Sequence, residues 1–165
     1  MKAYNLIFPI WFLLFFPPVI FGTMIGNFLI DSLVVVLCYY LFSIKQTIPT
    51  LKVFYKKSIW LVWIFGFLAD IIGAAILFIC GLSGESFGLS YDVTSAICYD
   101  PFSEPLALVI IGIALLVSTV CIFLFNYYFS FKHMLVDKKT CFKVALTIAL
   151  ITIPWTFLLP TKWFY

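Results

Sequence analysis

Long apolar runs separated by short polar links dominate the pattern of this chain. A helix rises about 1.5 Å per residue and the hydrocarbon core of a bilayer is about 30 Å thick, so about 20 apolar residues cross it. Four runs have or approach this length: Val19–Phe42, Ile59–Cys80, Leu106–Phe129 and Phe142–Leu159. The pattern predicts an all-α polytopic membrane protein, with residues 1–165 as a single domain of four transmembrane helices.

Prolines interrupt this pattern at both ends. Pro17 and Pro18 separate the apolar segment Leu6–Phe16 from the first span, because proline lacks an N–H donor and disfavours helix in the preceding residue. We expect Leu6–Phe16 to form a short helix in the outer membrane interface with Trp11 at headgroup level, or else a re-entrant hairpin. Pro154 lies inside the fourth run and predicts a kink there.

The composition excludes a soluble domain and a nucleic-acid partner. Hydrophobic residues make up 65% of the chain and charged residues 10%, whereas soluble domains carry about 25% charged residues. All ten basic residues are lysines, so the bidentate phosphate contacts of arginine are absent. The partner that the composition predicts is the lipid bilayer.

The charges of the three links predict the orientation. The links Ser43–Ser58 and Ser130–Cys141 are rich in lysine, and lysine-rich short loops stay in the cytoplasm. The link 82–105 has no lysine and four acids: Glu85, Asp92, Asp100 and Glu104. We therefore expect a protein of the cell membrane with this loop and both termini external. Its four acids are candidates for binding a cation or a basic partner, or else they belong to a solvated cap.

The cysteines and the single histidine predict no metal site and no cofactor. The five cysteines form no C-x-x-C motif, and His133 has no matching ligand cluster around it in the sequence. Cys80 and Cys98 both belong to the external side, where a disulfide can form. The sequence leaves open whether these two are bonded or are free thiols.

Two aspartates lie near the centres of the first two spans. A carboxylate at that depth costs about 2.5–3.5 kcal/mol on insertion scales, so Asp31 and Asp70 need an explanation. The two spans are antiparallel and joined by a short link, which predicts that the carboxyl groups meet at one level. Two carboxyl groups in a dry interior cannot both be ionised. Such a pair can share a proton, bind a cation or activate a water molecule, or it can simply join two helices.

Small and polar residues recur at helical spacing in every span and predict the inward faces of a bundle. These residues are Gly22, Thr23, Gly26, Asn27 and Asp31; Gly66, Ala69, Asp70 and Gly73; Gly112, Thr119 and Asn126; and Ala145, Ala149, Thr152 and Thr156. Asn27 and Asn126 join the two aspartates as candidates for a proton or cation site.

Three functions remain in order of preference. The first is a noncatalytic binding or assembly subunit, which meets other membrane subunits or a second copy of itself. The second is a small proton- or cation-coupled transporter or channel that uses Asp31 and Asp70. The third is an intramembrane hydrolase that uses the same two residues, although no catalytic motif is predicted.

Overall fold

Six α-helices account for most of residues 9–164, the part of the chain that this computed structural model describes. They are α1 (Ile10–Leu13), α2 (Val19–Leu41), α3 (Leu51–Ser83), α4 (Tyr91–Cys98), α5 (Pro105–Phe125) and α6 (Lys138–Ile151). No strand occurs among these residues. The predicted all-α class is confirmed.

Four helical segments are long and apolar enough to cross a membrane. They are α2, α3 with the turn that follows it, α5 with the π-helical turn Asn126–Phe131, and α6 with the 3-10 turn Trp155–Leu158. The four predicted spans are thus confirmed in number and order. The structure is that of a multi-pass membrane protein whose outward helix faces contact lipid.

The second span begins earlier than the sequence pattern predicts. Helix α3 has 33 residues and starts at Leu51 rather than Ile59, which makes it about 50 Å long. Its first turns carry Phe54, whose fully buried ring lies 5.6 Å from that of Tyr39 and 6.1 Å from that of Phe131. The prediction of a link up to Ser58 is wrong. The lysines of this segment favoured a loop, but the packing of Phe54 stabilises an extension of the helix.

The fourth span is broken rather than continuous. Helix α6 ends at Ile151, and the side chain of Thr152 donates a hydrogen bond of 2.9 Å to the carbonyl of Ile148. Pro154 has no N–H to continue the helical ladder, and the chain resumes as the turn Trp155–Leu158. The break lies next to the aspartates, as described below.

The loop over residues 82–105 contains a helix of its own. Ser90 caps the N-terminus of α4 by accepting a hydrogen bond from the N–H of Val93 at 3.4 Å. Val93, Ala96 and Ile97 are buried in one apolar cluster with residues of α3 and α5. Much of this loop is therefore packed against the bundle.

Trp11 lies inside the protein. Its side chain is 2% exposed, and its Nε1–H donates to the carbonyl of Ile97 at 3.2 Å. Within the described residues the predicted helix over 6–16 is helical only at Ile10–Leu13, and residues 6–8 lie outside that part. Helix α4 covers Trp11, so its side chain contacts protein. Its expected level at the lipid headgroups stays a prediction.

One end of the bundle gathers α1, α4 and the C-terminal turn Thr161–Trp163, and we call it the cap end. The hydroxyl of Thr161 accepts a hydrogen bond from the N–H of Ile10 at 3.0 Å and donates one to the carbonyl of Cys98 at 2.8 Å. Lys162 and Asp100 form an ion pair beside it. The two ends of the described chain therefore meet the loop over residues 82–105 on one side of the bundle.

Candidate cation site between α2, α3 and the broken fourth span

A cavity of about 260 Å³ lies between α2, α3 and the break in the fourth span. The residues Leu14 and Phe15, which follow α1, also line it. Its polar lining consists of Thr23, Asn27, Asp31, Asp70, Thr152 and Thr156. No lysine or other basic residue of the described chain belongs to the lining.

Asp31 comes from the middle of α2 and faces this cavity. Its side chain is 4% exposed, and no residue of the described chain donates a hydrogen bond to it or forms an ion pair with it. A Cβ atom on Gly66 of α3 would have one neighbour within 4 Å, Oδ2 of Asp31 at 3.7 Å. The glycine therefore leaves open the space beside the carboxyl group.

Asp70 lies one helical turn after Gly66 and lines the same cavity. Its Oδ2 accepts a long hydrogen bond of 3.4 Å from Nδ2 of Asn27. Its Oδ1 is buried and has no partner in the part of the chain that is described. The carboxyl groups of Asp31 and Asp70 interact electrostatically, so they repel each other when both are ionised.

The broken end of the fourth span forms the opposite side of the cavity. Residues 151–157 line it, and the N–H of Trp155 turns back to the carbonyl of Ile153 at 2.7 Å. Non-helical backbone at membrane depth is tolerated where it is buried in protein or lines a cavity. The break thus adds residues of the fourth span to the wall of the cavity that holds two acidic side chains.

Aromatic rings form part of the cavity wall, and apolar side chains surround its opening, which we call the mouth. The lining includes Phe15, Phe67, Trp155 and Phe157. Three lining residues, Ile30, Ile151 and Trp155, are also exposed on the outer surface of the bundle. The cavity therefore opens toward the face that lipid covers.

Asn126, a further candidate from the sequence, is not part of this cavity. It lies in the π-helical turn after α5, where its Nδ2 donates to the carbonyl of Ile122 at 2.9 Å and its Oδ1 accepts from Ser130 at 2.9 Å. Its amide is satisfied within its own helix. Thr119, from the same predicted stripe, likewise donates to Leu115 one turn away.

The prediction that Gly112 belongs to the inward face of α5 is wrong. Gly112 is exposed, and no described atom lies within 4 Å of where its Cβ would be. The buried residues of α5 are Ala107, Ile111, Ala114, Ser118 and Ile122. Because α5 is apolar on all sides, the sequence pattern does not separate the face toward lipid from the face toward protein.

The four acids of the loop over residues 82–105 do not converge. Asp100 pairs with Lys162, and Glu85 accepts a hydrogen bond of 3.5 Å from Thr94. Asp92 is exposed within the first turn of α4, and Glu104 precedes α5. No group of three or more His, Cys, Asp or Glu residues with the geometry of a metal site occurs in the described chain.

Cys80 and Cys98 are free thiols in the structure, as are Cys38, Cys121 and Cys141. The Sγ of Cys98 would lie 2.8 Å from a Cβ atom on Gly81, so Cys98 packs tightly against α3. Burial raises the pKa of the Cys98 thiol to about 11. Of the two alternatives that the sequence left open, the structure has the free thiols.

Sequence reasoning missed the contribution of the fourth span and of the aromatic wall. Thr152, Pro154 and Thr156 are visible in the sequence as a polar stripe and a kink, but nothing in their spacing relates them to Asp31. Phe15 and Phe67 carry no signal at all, because the chain contains 20 phenylalanines. Only the packing of the helices brings these residues to the aspartates.

No protein-family model, no curated protein and no solved structure matches this chain. The argument for a function therefore comes from the geometry of the cavity.

Proposed function

We propose that this protein binds a proton or a small cation between Asp31 and Asp70 within the membrane and takes part in its transport. The observation that carries the proposal is that two carboxyl groups, one from α2 and one from α3, line one cavity and lack sufficient hydrogen-bond donors. Ionisable residues in membrane spans that face a cavity commonly mark ion or proton pathways.

The balance of charge in the cavity supports a bound cation. An ionised carboxylate in a dry interior is costly unless an opposite charge or several donors offset it. The lining supplies no basic residue, and among the described residues Asn27 is the one side chain that donates to either aspartate. A proton or cation held between the two carboxyl groups would remove their repulsion. It would also give their oxygen atoms the partner that they lack.

The break in the fourth span supports transport rather than a static role. In many transporters, discontinuous helices line the binding site near the middle of the membrane. Here residues 151–157 interrupt a span beside the two aspartates. Two aspartates that only joined α2 and α3 would require neither this break nor a cavity.

The test is a flux assay with the full chain reconstituted into vesicles that enclose a pH-sensitive dye. Gradients of H⁺, Na⁺ and K⁺ are imposed in turn. The dye records proton movement, and Na⁺- or K⁺-sensitive dyes in parallel vesicles record movement of the two metal ions. We expect flux for at least one gradient, and we expect Asp31→Asn and Asp70→Asn to abolish it, because an amide neither titrates nor balances a cation. Asp92→Asn is the matched control, since it removes an exposed acid at the cap end.

Two results would contradict the proposal. The first is an absence of flux through the wild-type chain under all three gradients. The second is unchanged flux in both asparagine variants, with size-exclusion profiles that match the wild type.

A role in assembly is the second candidate, and one observation favours it. Gly22 and Gly26 form a small-xxx-small pair on α2, and no described atom lies within 4 Å of a Cβ at either position. Such pairs let a second helix approach closely in membranes. Chemical crosslinking in mild detergent should therefore detect an oligomer that Gly22→Leu disrupts and that Gly112→Leu, on an open face of α5, leaves intact. An oligomer that persists in Gly22→Leu would exclude this face.

A further inference from the structure

The cavity is larger than a proton or a bare metal ion requires. An apolar cavity of about 150 Å³ holds one benzene molecule, and the volume here is about 260 Å³. Hard metal ions prefer six or more oxygen ligands at close range. The lining places two carboxyl groups and four further polar side chains among apolar and aromatic side chains. It has room for a charged group together with an organic body.

The carboxyl oxygens that lack hydrogen-bond donors indicate which kind of charged group the cavity binds. Oδ1 of Asp70 is buried without a partner, and Asp31, which is 4% exposed, accepts no hydrogen bond from the described chain. A protonated primary amine carries up to three N–H donors on one positive centre. A quaternary ammonium has the charge but no donor, so it would leave these oxygens unsatisfied.

The wall and the mouth of the cavity suit an apolar body. Phe15, Phe67 and Phe157 line it, and aromatic faces attract ammonium ions as well as apolar groups. Ile30, Ile151 and Trp155 both line the cavity and are exposed on the surface that lipid covers. A ligand with an apolar body can reach this mouth from the bilayer.

We propose that the cavity binds a small organic ammonium ion that retains at least one N–H group. The inference rests on the cation-binding part of the proposed function. In this arrangement the ammonium group donates to Oδ1 of Asp70 and to the carboxyl group of Asp31. The apolar body lies along the aromatic side chains and extends toward the break in the fourth span.

The test is isothermal titration calorimetry on the full chain in mild detergent, with protein-free detergent as the blank. Benzylammonium is the probe, and two analogues isolate its features: benzyltrimethylammonium lacks N–H donors and benzyl alcohol lacks the charge. We expect saturable binding of benzylammonium, with about tenfold or greater weakening for each analogue. Benzyltrimethylammonium loses the hydrogen bonds to the carboxyl groups, and benzyl alcohol loses the charge attraction.

Three variants locate the site. Asp70→Asn should abolish binding of benzylammonium, and Asp92→Asn should leave it unchanged. Gly66→Leu should also abolish it by filling the cavity, since Oδ2 of Asp31 is the only neighbour within 4 Å of the added Cβ. Gly66→Leu keeps both carboxyl groups, so it tests the site even where Asp70→Asn fails to fold.

The inference is overturned if wild-type protein shows no saturable heat with benzylammonium, or if benzyltrimethylammonium binds equally well. It is also overturned if a folded Gly66→Leu variant binds with unchanged affinity. Flux of H⁺, Na⁺ or K⁺ that needs both aspartates, without benzylammonium binding, would leave the proposed function standing and exclude the organic ligand. Benzylammonium binding that needs Asp70, together with flux that needs neither aspartate, would support the site and exclude the proposed ion transport.

Discussion

Ser118 of α5 donates a hydrogen bond from its side chain to the backbone carbonyl of Ala69 in α3, at 3.1 Å. Both residues are fully buried. The bond fixes α5 against α3 at the residue directly before Asp70. Close approach of two membrane helices requires small residues at the contact, and Gly73 occupies the next turn of α3. The packing behind the cavity thus depends on a glycine.

Gly73→Ala should destabilise this contact. The added Cβ would lie 2.0 Å from Oγ of Ser118, 2.7 Å from Cε2 of Phe157 and 3.2 Å from the carbonyl oxygen of Ala114. Overpacking of a close contact typically costs about 1–3 kcal/mol of unfolding free energy, which thermal or denaturant unfolding in detergent can measure. Gly112→Ala is the control, because its Cβ meets no described atom and alanine favours helix. Equal stability of the two variants would show that α3 and α5 are not in this register.

Cys98 should react slowly with maleimides at neutral pH. Burial raises the pKa of its thiol to about 11 from an ordinary 9.0, and the thiolate is the reactive form. At pH 8 the thiolate fraction should be lower by about a hundredfold than for an ordinary thiol, and the rate should rise with pH until about 11. The measurement uses a variant that retains Cys98 alone, compared with the same chain unfolded in denaturant.

The same chemistry tests the disulfide. Unfolded under non-reducing conditions, the wild-type chain should present five free thiols, in accordance with the five free cysteines of the structure. A count of three would indicate a bond between two of them.

For the reactivity of Cys98, a rate that levels off below pH 9 would contradict its burial against Gly81.

The orientation in the membrane can be tested by labelling single cysteines in a cysteine-free background. Positions 56 and 138 lie in the lysine-rich segments, and positions 85 and 92 lie in the acidic loop at the cap end. All four side chains are exposed, so labelling reports the side of the membrane and not burial. By the distribution of lysines, an impermeant maleimide should label positions 85 and 92 in intact cells and label positions 56 and 138 only after lysis. Labelling of position 56 from outside would reverse the predicted orientation.

The sequence by itself determined the class of this protein and the number of its spans. Apolar runs of this length have one stable solution in a bilayer, since every backbone polar group must be satisfied within the helix. The position of Asp31 and Asp70 near the centres of two consecutive spans is likewise readable from the sequence, because charged residues stand out in apolar surroundings.

The tertiary structure alone decided which side of each helix faces protein. In water an amphipathic pattern reveals the buried face, but in lipid both faces of a span are apolar. For this reason Gly112 was expected inside and is exposed. Phe54 was expected in a link because of the lysines around it, and it is buried. Asn126 was expected beside the aspartates, yet its amide bonds to its own helix. The cavity itself forms because the break at Pro154 lies beside Asp31 and Asp70, which are distant from it in the sequence. Local residue spacing does not predict such a long-range contact.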